Sequence, residues 1–156
     1  VDGQVLVGEA RGWGACKGLI RSGLFGGLHA PCPHGECSFD GVFQPRLPEN
    51  APIYALSYIY DLARELGLPG EGYSLQDFRR YGERLCGAGA GLGVQLQRNP
   101  ELCFDVAFVH TLLHEGLGVG EERRLVSGFQ INGYETGWTL GSALSVVEHS
   151  PSHCYP

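Results

Sequence analysis

The stretch "CFDVAFVHTLLHEG", residues 103–116, has the clearest periodicity in this chain. Its apolar positions Val106, Val109 and Leu113 recur every three or four residues, as on the buried stripe of an α-helix. Gly116 follows, and glycine is the residue type that most often ends a helix. The stretch therefore predicts a core helix against which the neighbouring elements pack.

Strands and helices are predicted on both sides of this helix. Residues 53–57 are rich in β-branched and aromatic side chains, which is typical of a strand, and residues 58–66 can continue as a helix. Ser74 is a typical N-cap for the next helix. Downstream we expect a strand at 125–131 and a final helix at 135–147. The other predicted elements are a short strand at 4–7, a helix at 13–24, a proline-rich loop at 30–52 and a flexible connector, "GAGAGLG", at 87–93. This pattern indicates the α/β class.

Length, composition and charge exclude several classes of protein. A length of 156 residues suits one domain, or one domain plus part of another, and a hydrophobic content of 43% argues against disorder. The net charge of −6 disfavours a broad surface for nucleic acid or anionic membrane. No apolar run reaches the roughly 18 residues of a membrane-spanning helix. Because the first residue is valine, we expect the sequence to be part of a longer protein.

The six cysteines form no CxxC pair, which favours disulfides in a secretory or extracellular compartment over a zinc ribbon. In "CPHGEC" the short, proline-flanked loop predicts a Cys32–Cys37 disulfide. The alternative is a zinc knuckle that includes His34, but structural zinc takes four ligands and no second half is evident.

Several patterns suggest chemistry without completing a site. His110 and His114 have metal-binding i, i+4 spacing but neither an HExxH order nor a third ligand, so we expect partly exposed surface histidines. Ser57 stands between a strand and a helix without the flanking glycines of a nucleophile elbow, so we expect it to donate to the backbone. The glycines at 87–93 follow a helix rather than a strand, unlike a dinucleotide-binding loop.

The C-terminal stretch "INGYETGWTLGSAL", residues 131–144, predicts a helix with two glycines four positions apart. Gly137 and Gly141 would form a smooth stripe beside Trp138, on which another backbone could approach closely. The stripe needs a partner.

Four stretches, in order, resemble the C-terminal half of the nucleoside phosphatase family, which includes ecto-apyrases, lumenal nucleoside diphosphatases and plant apyrases. They are "PCPHGECSFDGVFQP" (31–45), "IYALSYIYDLA" (53–63), "ELCFDVAFVHTLLHEGLG" (101–118) and "NGYETGWTLGSAL" (132–144). The resemblance covers residues 16–145.

This resemblance implies an actin-like, ribonuclease-H-like pair of α/β lobes. Residues 1–125 would belong to the C-terminal, base-binding lobe, and residues 126–156 would form a closing strand and helix. A nucleoside di- or triphosphate and a divalent cation, Ca²⁺ or Mg²⁺, would occupy the cleft, where water attacks the terminal phosphate. The family's phosphate loops and catalytic glutamate lie in motifs that this chain lacks. We therefore expect no catalytic residue and no metal ligand here, and an isolated chain that is inactive.

Carried over residue by residue, the resemblance places Tyr58, Asp61 and Arg98 at the nucleobase. Many ecto-enzymes have tyrosine where this chain has Asp61, and the aspartate resembles the lumenal diphosphatase branch. The loop at 31–37 resembles the ecto and plant branch instead, so the substrate preference stays open. The location implied is the secretory lumen or the extracellular space.

The resemblance also implies a second disulfide, Cys86–Cys103, across the glycine-rich span. In the family the equivalent of Cys16 pairs with an upstream cysteine, so here it lacks a partner or pairs with Cys154. The helix with Gly137, Trp138 and Gly141 would dock on the N-terminal lobe, present in the same protein or as a separate chain. The alternative to an enzyme is a non-catalytic extracellular binding or assembly module derived from this lobe.

Overall fold

A computed structural model describes residues 12–26, 30–33, 35–87, 99–128 and 130–149. The predicted strand at 4–7, most of the connector at 87–93, and the residues His34, Arg98 and Cys154 lie outside these ranges. The helices are α1 (Gly12–Gly23), α2 (Tyr58–Glu65), α3 (Leu75–Cys86), α4 (Leu102–Thr111) and α5 (Trp138–His149). The strands are β1 (Ile53–Ala55), β2 (Glu71–Ser74), β3 (Arg124–Ser127), β4 (Gln130–Ile131) and β5 (Tyr134–Glu135).

The main sheet has the order β1-β3-β2. β1 pairs with β3 in parallel, with Ile53 opposite Leu125, and β2 pairs with β3 antiparallel. The parallel pairing needs a long connection, which α2, α3 and α4 supply. The described chain is thus mixed α/β, as predicted.

The predicted core helix is α4, and it is central to the molecule. Its residues Val106 and Val109 are completely buried, and it packs against α1 and α3. Burying side chains of this size stabilises the fold by about 1.5–3 kcal/mol each. After Thr111 the helix continues as one π-helical turn, Leu112–Gly116. The core around it comprises Leu62, Ala63, Leu66, Tyr73, Leu75, Phe78, Leu85, Leu102, Leu113, Val119 and Leu125.

Local signals set the start of α3. The Asp77 carboxylate accepts hydrogen bonds from the backbone N–H of Ser74 at 2.8 Å and from its hydroxyl at 3.0 Å. The predicted N-cap is confirmed. On the same helix, the backbone of Gly82 touches the ring of Trp13 from α1, so that a Cβ on residue 82 would overlap the indole.

The prediction for the C-terminal segment needs two corrections. The expected strand at 125–131 ends at Ser127, and β4 and β5 form a separate hairpin. Its turn, Asn132 and Gly133, has φ of 52° and 81°, and an Asn-Gly pair with positive φ suits the twist of a two-residue hairpin. Since the hairpin occupies residues up to Glu135, the final helix begins at Trp138 rather than at 135.

The expectation of surface histidines is wrong for His110, whose side chain is completely buried. Its ring packs edge-on to Trp13, with centroids 5.3 Å apart, because α1 covers this side of α4. His114, one turn later, is half-buried, and its Nδ1 lies 2.9 Å from the carbonyl oxygen of Val119. The ring of His110 is therefore part of the core, and the two histidines do not form an exposed metal-binding pair.

Both predicted disulfides, Cys32–Cys37 and Cys86–Cys103, are present. The second joins the C-terminal end of α3 to the first turn of α4. In the described part of the chain Cys16 is a free thiol, half-buried on α1, and burial raises its pKa. Among the described helices, none is long and apolar enough to cross a bilayer.

Candidate nucleobase site

The junction between β1 and α2 carries two of the three residues predicted to contact a nucleobase. β1 ends at Ala55, and Ser57, with φ of 54° and ψ of −123°, turns the chain into α2. A non-glycine residue with positive φ costs on the order of 1–3 kcal/mol, and such strain concentrates at functional sites. In the described structure the Ser57 side chain makes no capping hydrogen bond, although its carbonyl accepts from the N–H of Asp61 at 3.0 Å.

Tyr58 is the first residue of α2, and its side chain is 47% exposed. Burial of the rest of the ring raises the pKa of its hydroxyl well above the usual value, and a hydrogen bond with the carboxylate of Asp105 on α4 adds to this. The negative charges of Glu101 and Glu65 act in the same direction. The hydroxyl therefore stays protonated at neutral pH, anchored at one end while part of the ring faces solvent.

Asp61 lies one turn after Tyr58, and residues three apart share a face of a helix. Its side chain is 65% exposed, and its Oδ1 lies 3.8 Å from Nη2 of Arg64, which is itself exposed. An exposed ion pair of this kind contributes about 0–1 kcal/mol, so the carboxylate remains accessible to other groups. α2 thus presents an aromatic ring and a carboxylate side by side.

Arg98, the third predicted residue, lies outside the described ranges, but its chain neighbour does not. The side-chain amide of Asn99 donates to the carboxylate of Glu65, with Nδ2 3.3 Å from Oε1. Glu65 is the last residue of α2. The described chain therefore resumes after residue 98 next to the helix that carries Tyr58 and Asp61.

Comparison with known proteins identifies the family. Residues 4–155 match the model of the GDA1/CD39 (nucleoside phosphatase) family. The chain belongs to this family. The resemblance expected from the four sequence stretches is confirmed, and family members have the actin-like fold.

Relatives in this family are similar to the chain over most of its length. A guanosine-diphosphatase of Schizosaccharomyces pombe is 30% identical over 144 residues, which cover 85% of this chain and 25% of that protein. The guanosine-diphosphatase of Saccharomyces cerevisiae is 32% identical over 80% of this chain and 27% of its own length. Mouse ectonucleoside triphosphate diphosphohydrolase 5 is 30% identical over 69% of this chain and 25% of its own length. The chain spans about a quarter of the length of these relatives.

The family's "GWTLG" segment spans the first turn of α5 and the residue before it. No side chain described on α5 is buried, and Trp138 is 80% exposed. The glycine stripe differs from the prediction, since Gly137 precedes the helix and only Gly141 lies within it. A Cβ on Gly141 would meet no described atom within 4 Å, so this side of the helix is open. Further apolar side chains exposed on α5 are Leu140, Leu144, Val146 and Val147.

The described residues form no binding site for the divalent cation that the family resemblance implies. These ranges contain no group of three or more His, Cys, Asp or Glu side chains placed to hold a metal ion. The imidazole of His110 contacts a carboxylate instead, with its Nε2 3.1 Å from Oε1 of Glu121. Burial and the nearby positive charge of Lys17 lower the pKa of His110 to about 4.

Sequence reasoning missed one member of the site, Asp105. It lies on α4 between apolar positions, and helical spacing indicates which face of α4 is buried but not which side chain of α2 it meets. The sequence feature that could have indicated it is the charge of Asp105 within an otherwise apolar helix, because a carboxylate in such a place needs a polar partner.

Proposed function

We propose that this chain is the C-terminal, base-binding part of a nucleoside di- or triphosphate phosphohydrolase in which water, assisted by a divalent cation, attacks the terminal phosphate. The observation that carries the proposal is the family match over residues 4–155. The names of the relatives, guanosine-diphosphatase and ectonucleoside triphosphate diphosphohydrolase, give the substrate class, with guanosine diphosphate as the first candidate.

In this proposal a nucleobase is held between Tyr58 and Arg98, with Asp61 at its edge. An aromatic ring and a guanidinium plane can each stack on one flat face of a base. Three observations support it: the exposed part of the Tyr58 ring, the strained backbone of Ser57 that starts α2, and the contact of Asn99 with that helix. The acidic side chains Glu65, Glu101 and Asp105 around Tyr58 also make this a favourable environment for a guanidinium.

The segment 126–156 would close the protein onto its N-terminal lobe, while residues 1–125 belong to the base-binding lobe. The support is the exposure of α5, where Trp138 and Leu140 are 80% and 70% exposed. Large apolar side chains grouped on one exposed helix mark an interaction surface more often than a solvated one. The relatives are about four times as long as the match, so they contain ample further chain to cover it.

The proposal assigns the groups that carry out the reaction itself to other parts of the protein. As the family resemblance implies, the ligands of Ca²⁺ or Mg²⁺, the phosphate-binding loops and the residue that activates water would belong to the rest of the protein. The two disulfides fit an oxidising compartment, and we place the protein in the secretory lumen or the extracellular space.

Phosphate release tests this proposal. The complete protein should release phosphate from nucleoside di- or triphosphates in the presence of Mg²⁺ or Ca²⁺ and stop when the cation is chelated. The isolated 156-residue chain should release none. Nucleotide binding without hydrolysis by the complete protein would instead support the alternative, a non-catalytic binding or assembly module.

A further inference from the structure

On the basis of the proposed function, we infer that Asp105 is a positioning residue of the nucleobase site: from α4, its carboxylate holds the ring of Tyr58, on α2, in the orientation in which a base can stack on it. Asp105 touches no part of the substrate and acts on nucleotide affinity through the tyrosine alone.

The position of Tyr58 at the start of α2 leaves its ring without support from its own helix. Side chains in a helix lean towards the N-terminus and lie over the turn before their own Cα. Tyr58 is the first residue of α2, so no turn of this helix precedes it. Its side chain is also 47% exposed, so packing covers only part of the ring. The orientation of the ring therefore depends on a contact made by another element.

That contact is the hydrogen bond that the Tyr58 hydroxyl donates to the Asp105 carboxylate. Two other carboxylates near the ring, those of Glu65 and Glu101, act on the hydroxyl only through their charge. Glu65 accepts instead from the side-chain amide of Asn99, with Nδ2 3.3 Å from Oε1. Because a hydrogen bond to a carboxylate is stronger than one between neutral groups, Asp105 is the group that fixes the far end of the ring.

The backbone of Asp105 is itself held in place. It lies in the first turn of α4, where its N–H donates to the carbonyl oxygen of Glu101 at 2.9 Å. The neighbouring Val106 is completely buried in the core, and the disulfide Cys86–Cys103 joins this turn to α3. A short side chain on a fixed backbone keeps its carboxylate in a nearly constant place, and the tyrosine hydroxyl with it.

A ring that is held in place before the base arrives increases the affinity for the nucleotide. A tyrosine that can rotate must be immobilised on binding, and this loss of freedom reduces the affinity. Loss of the anchor should therefore raise the KM for a nucleotide about three- to tenfold. Because the base takes no part in the attack on the phosphate, kcat at saturation should change little.

Steady-state kinetics of the complete protein with guanosine diphosphate and with inorganic tripolyphosphate, which has no base, test the inference. Asp105→Ala removes the acceptor, and Tyr58→Phe removes the donor but keeps the ring. Each change should raise the KM for guanosine diphosphate about three- to tenfold, and neither should alter the KM for tripolyphosphate. The double variant should match the single variants, because both changes remove the same hydrogen bond.

Two further variants separate positioning from folding. Asp105→Asn keeps an accepting oxygen at nearly the same place and should retain most of the wild-type affinity. Asp77→Ala is the matched control, because the Asp77 carboxylate also accepts from a hydroxyl, that of Ser74 at 3.0 Å, but at the start of α3. It should lower the free energy of unfolding through the lost capping box and leave the KM for guanosine diphosphate unchanged.

The outcomes separate the inference from the proposed function. An unchanged KM for guanosine diphosphate in Asp105→Ala, or an equal rise in the KM for both substrates, overturns the inference while the proposed function stands. A double variant whose loss is the product of the two single losses does the same. If Asp105→Ala does not fold, Tyr58→Phe decides, since its KM must still rise about threefold or more and Asp105→Asn must add nothing to that rise. If the wild-type protein hydrolyses no nucleoside phosphate, the proposed function fails, and the inference fails with it.

Discussion

The imidazole Nε2 of His110 lies 3.1 Å from Oε1 of Glu121, and the His110 side chain is completely buried. Within the described ranges, the groups that face it are Trp13 and Lys17 on α1, His114 on the same helical segment, and Glu121, which Arg79 of α3 approaches to 3.6 Å. Burial, with the charges of Lys17 and His114, lowers the pKa of His110, and Glu121 opposes the shift only in part.

This arrangement predicts acid sensitivity. The pKa of His110 is about 4 in the folded chain and 6.5 in its ordinary state, so the unfolded chain binds the proton more readily. The contribution of His110 to stability is therefore fully present above pH 6.5 and is lost as the pH falls towards 4, by on the order of 2–3 kcal/mol. Urea unfolding at a series of pH values would measure this loss. His110→Gln should flatten the dependence in this range, and an unchanged slope would contradict the assignment.

The contact between Gly82 and Trp13 predicts an unusual response to alanine. Alanine favours a helix by about 1 kcal/mol over glycine, yet Gly82→Ala should destabilise the chain by about 1–3 kcal/mol because its Cβ overlaps the indole. Gly18→Ala is the matched control, since a Cβ there meets no described atom within 4 Å. It should stabilise α1. Chemical denaturation of both variants provides the test, and equal effects would mean that α1 does not dock on α3 through Trp13.

The two disulfides should differ in their contribution. Cys86–Cys103 closes a loop with a sequence separation of 17 and Cys32–Cys37 one with a separation of 5. On chain-entropy grounds the first stabilises by about 3 kcal/mol and the second by about 2 kcal/mol. Removing each pair by Cys→Ser replacement and comparing unfolding free energies measures both, and a larger loss from the shorter loop would argue against the entropic account.

The exposed helix α5 predicts self-association of the isolated chain. Trp138 and its apolar neighbours should bind a hydrophobic dye and draw chains into dimers or larger species. Trp138→Gln should reduce both effects, whereas Tyr54→Gln, a change at a half-exposed aromatic residue on β1, should not. Sedimentation and dye fluorescence report the result. A strictly monomeric wild-type chain that binds no dye would count against the docking role.

Arg98 supplies the last prediction. In the complete protein Arg98→Ala should raise the KM for nucleotides about tenfold or more, since stacking on a base is worth about 1–3 kcal/mol. Hydrolysis of a base-free polyphosphate should hardly change, because the proposed function assigns the phosphate contacts to the rest of the protein. Initial rates on both substrates give the comparison, and equal losses would place Arg98 at the phosphate or in folding instead.

Features that depend on short stretches of chain could be predicted from the sequence. The sequence predicts the apolar spacing of α4, the N-cap at Ser74, the strand-to-helix junction before Tyr58 and the four family stretches. These features are predictable because helical period, capping and turn chemistry act over a few residues. The Asn132–Gly133 pair is likewise typical of a hairpin turn, and the hairpin lies between the strand predicted to end at 131 and the helix predicted to start at 135.

Which side chains cover each element is seen only in the folded chain. His110 looked like a surface residue until α1 placed Trp13 and Lys17 over it, and Asp105 had no evident role until α4 brought it to Tyr58. These relationships join residues that are distant in sequence. Burial and pairing arise from packing between elements, and the spacing within one element holds no information about which side chain of another element it will meet.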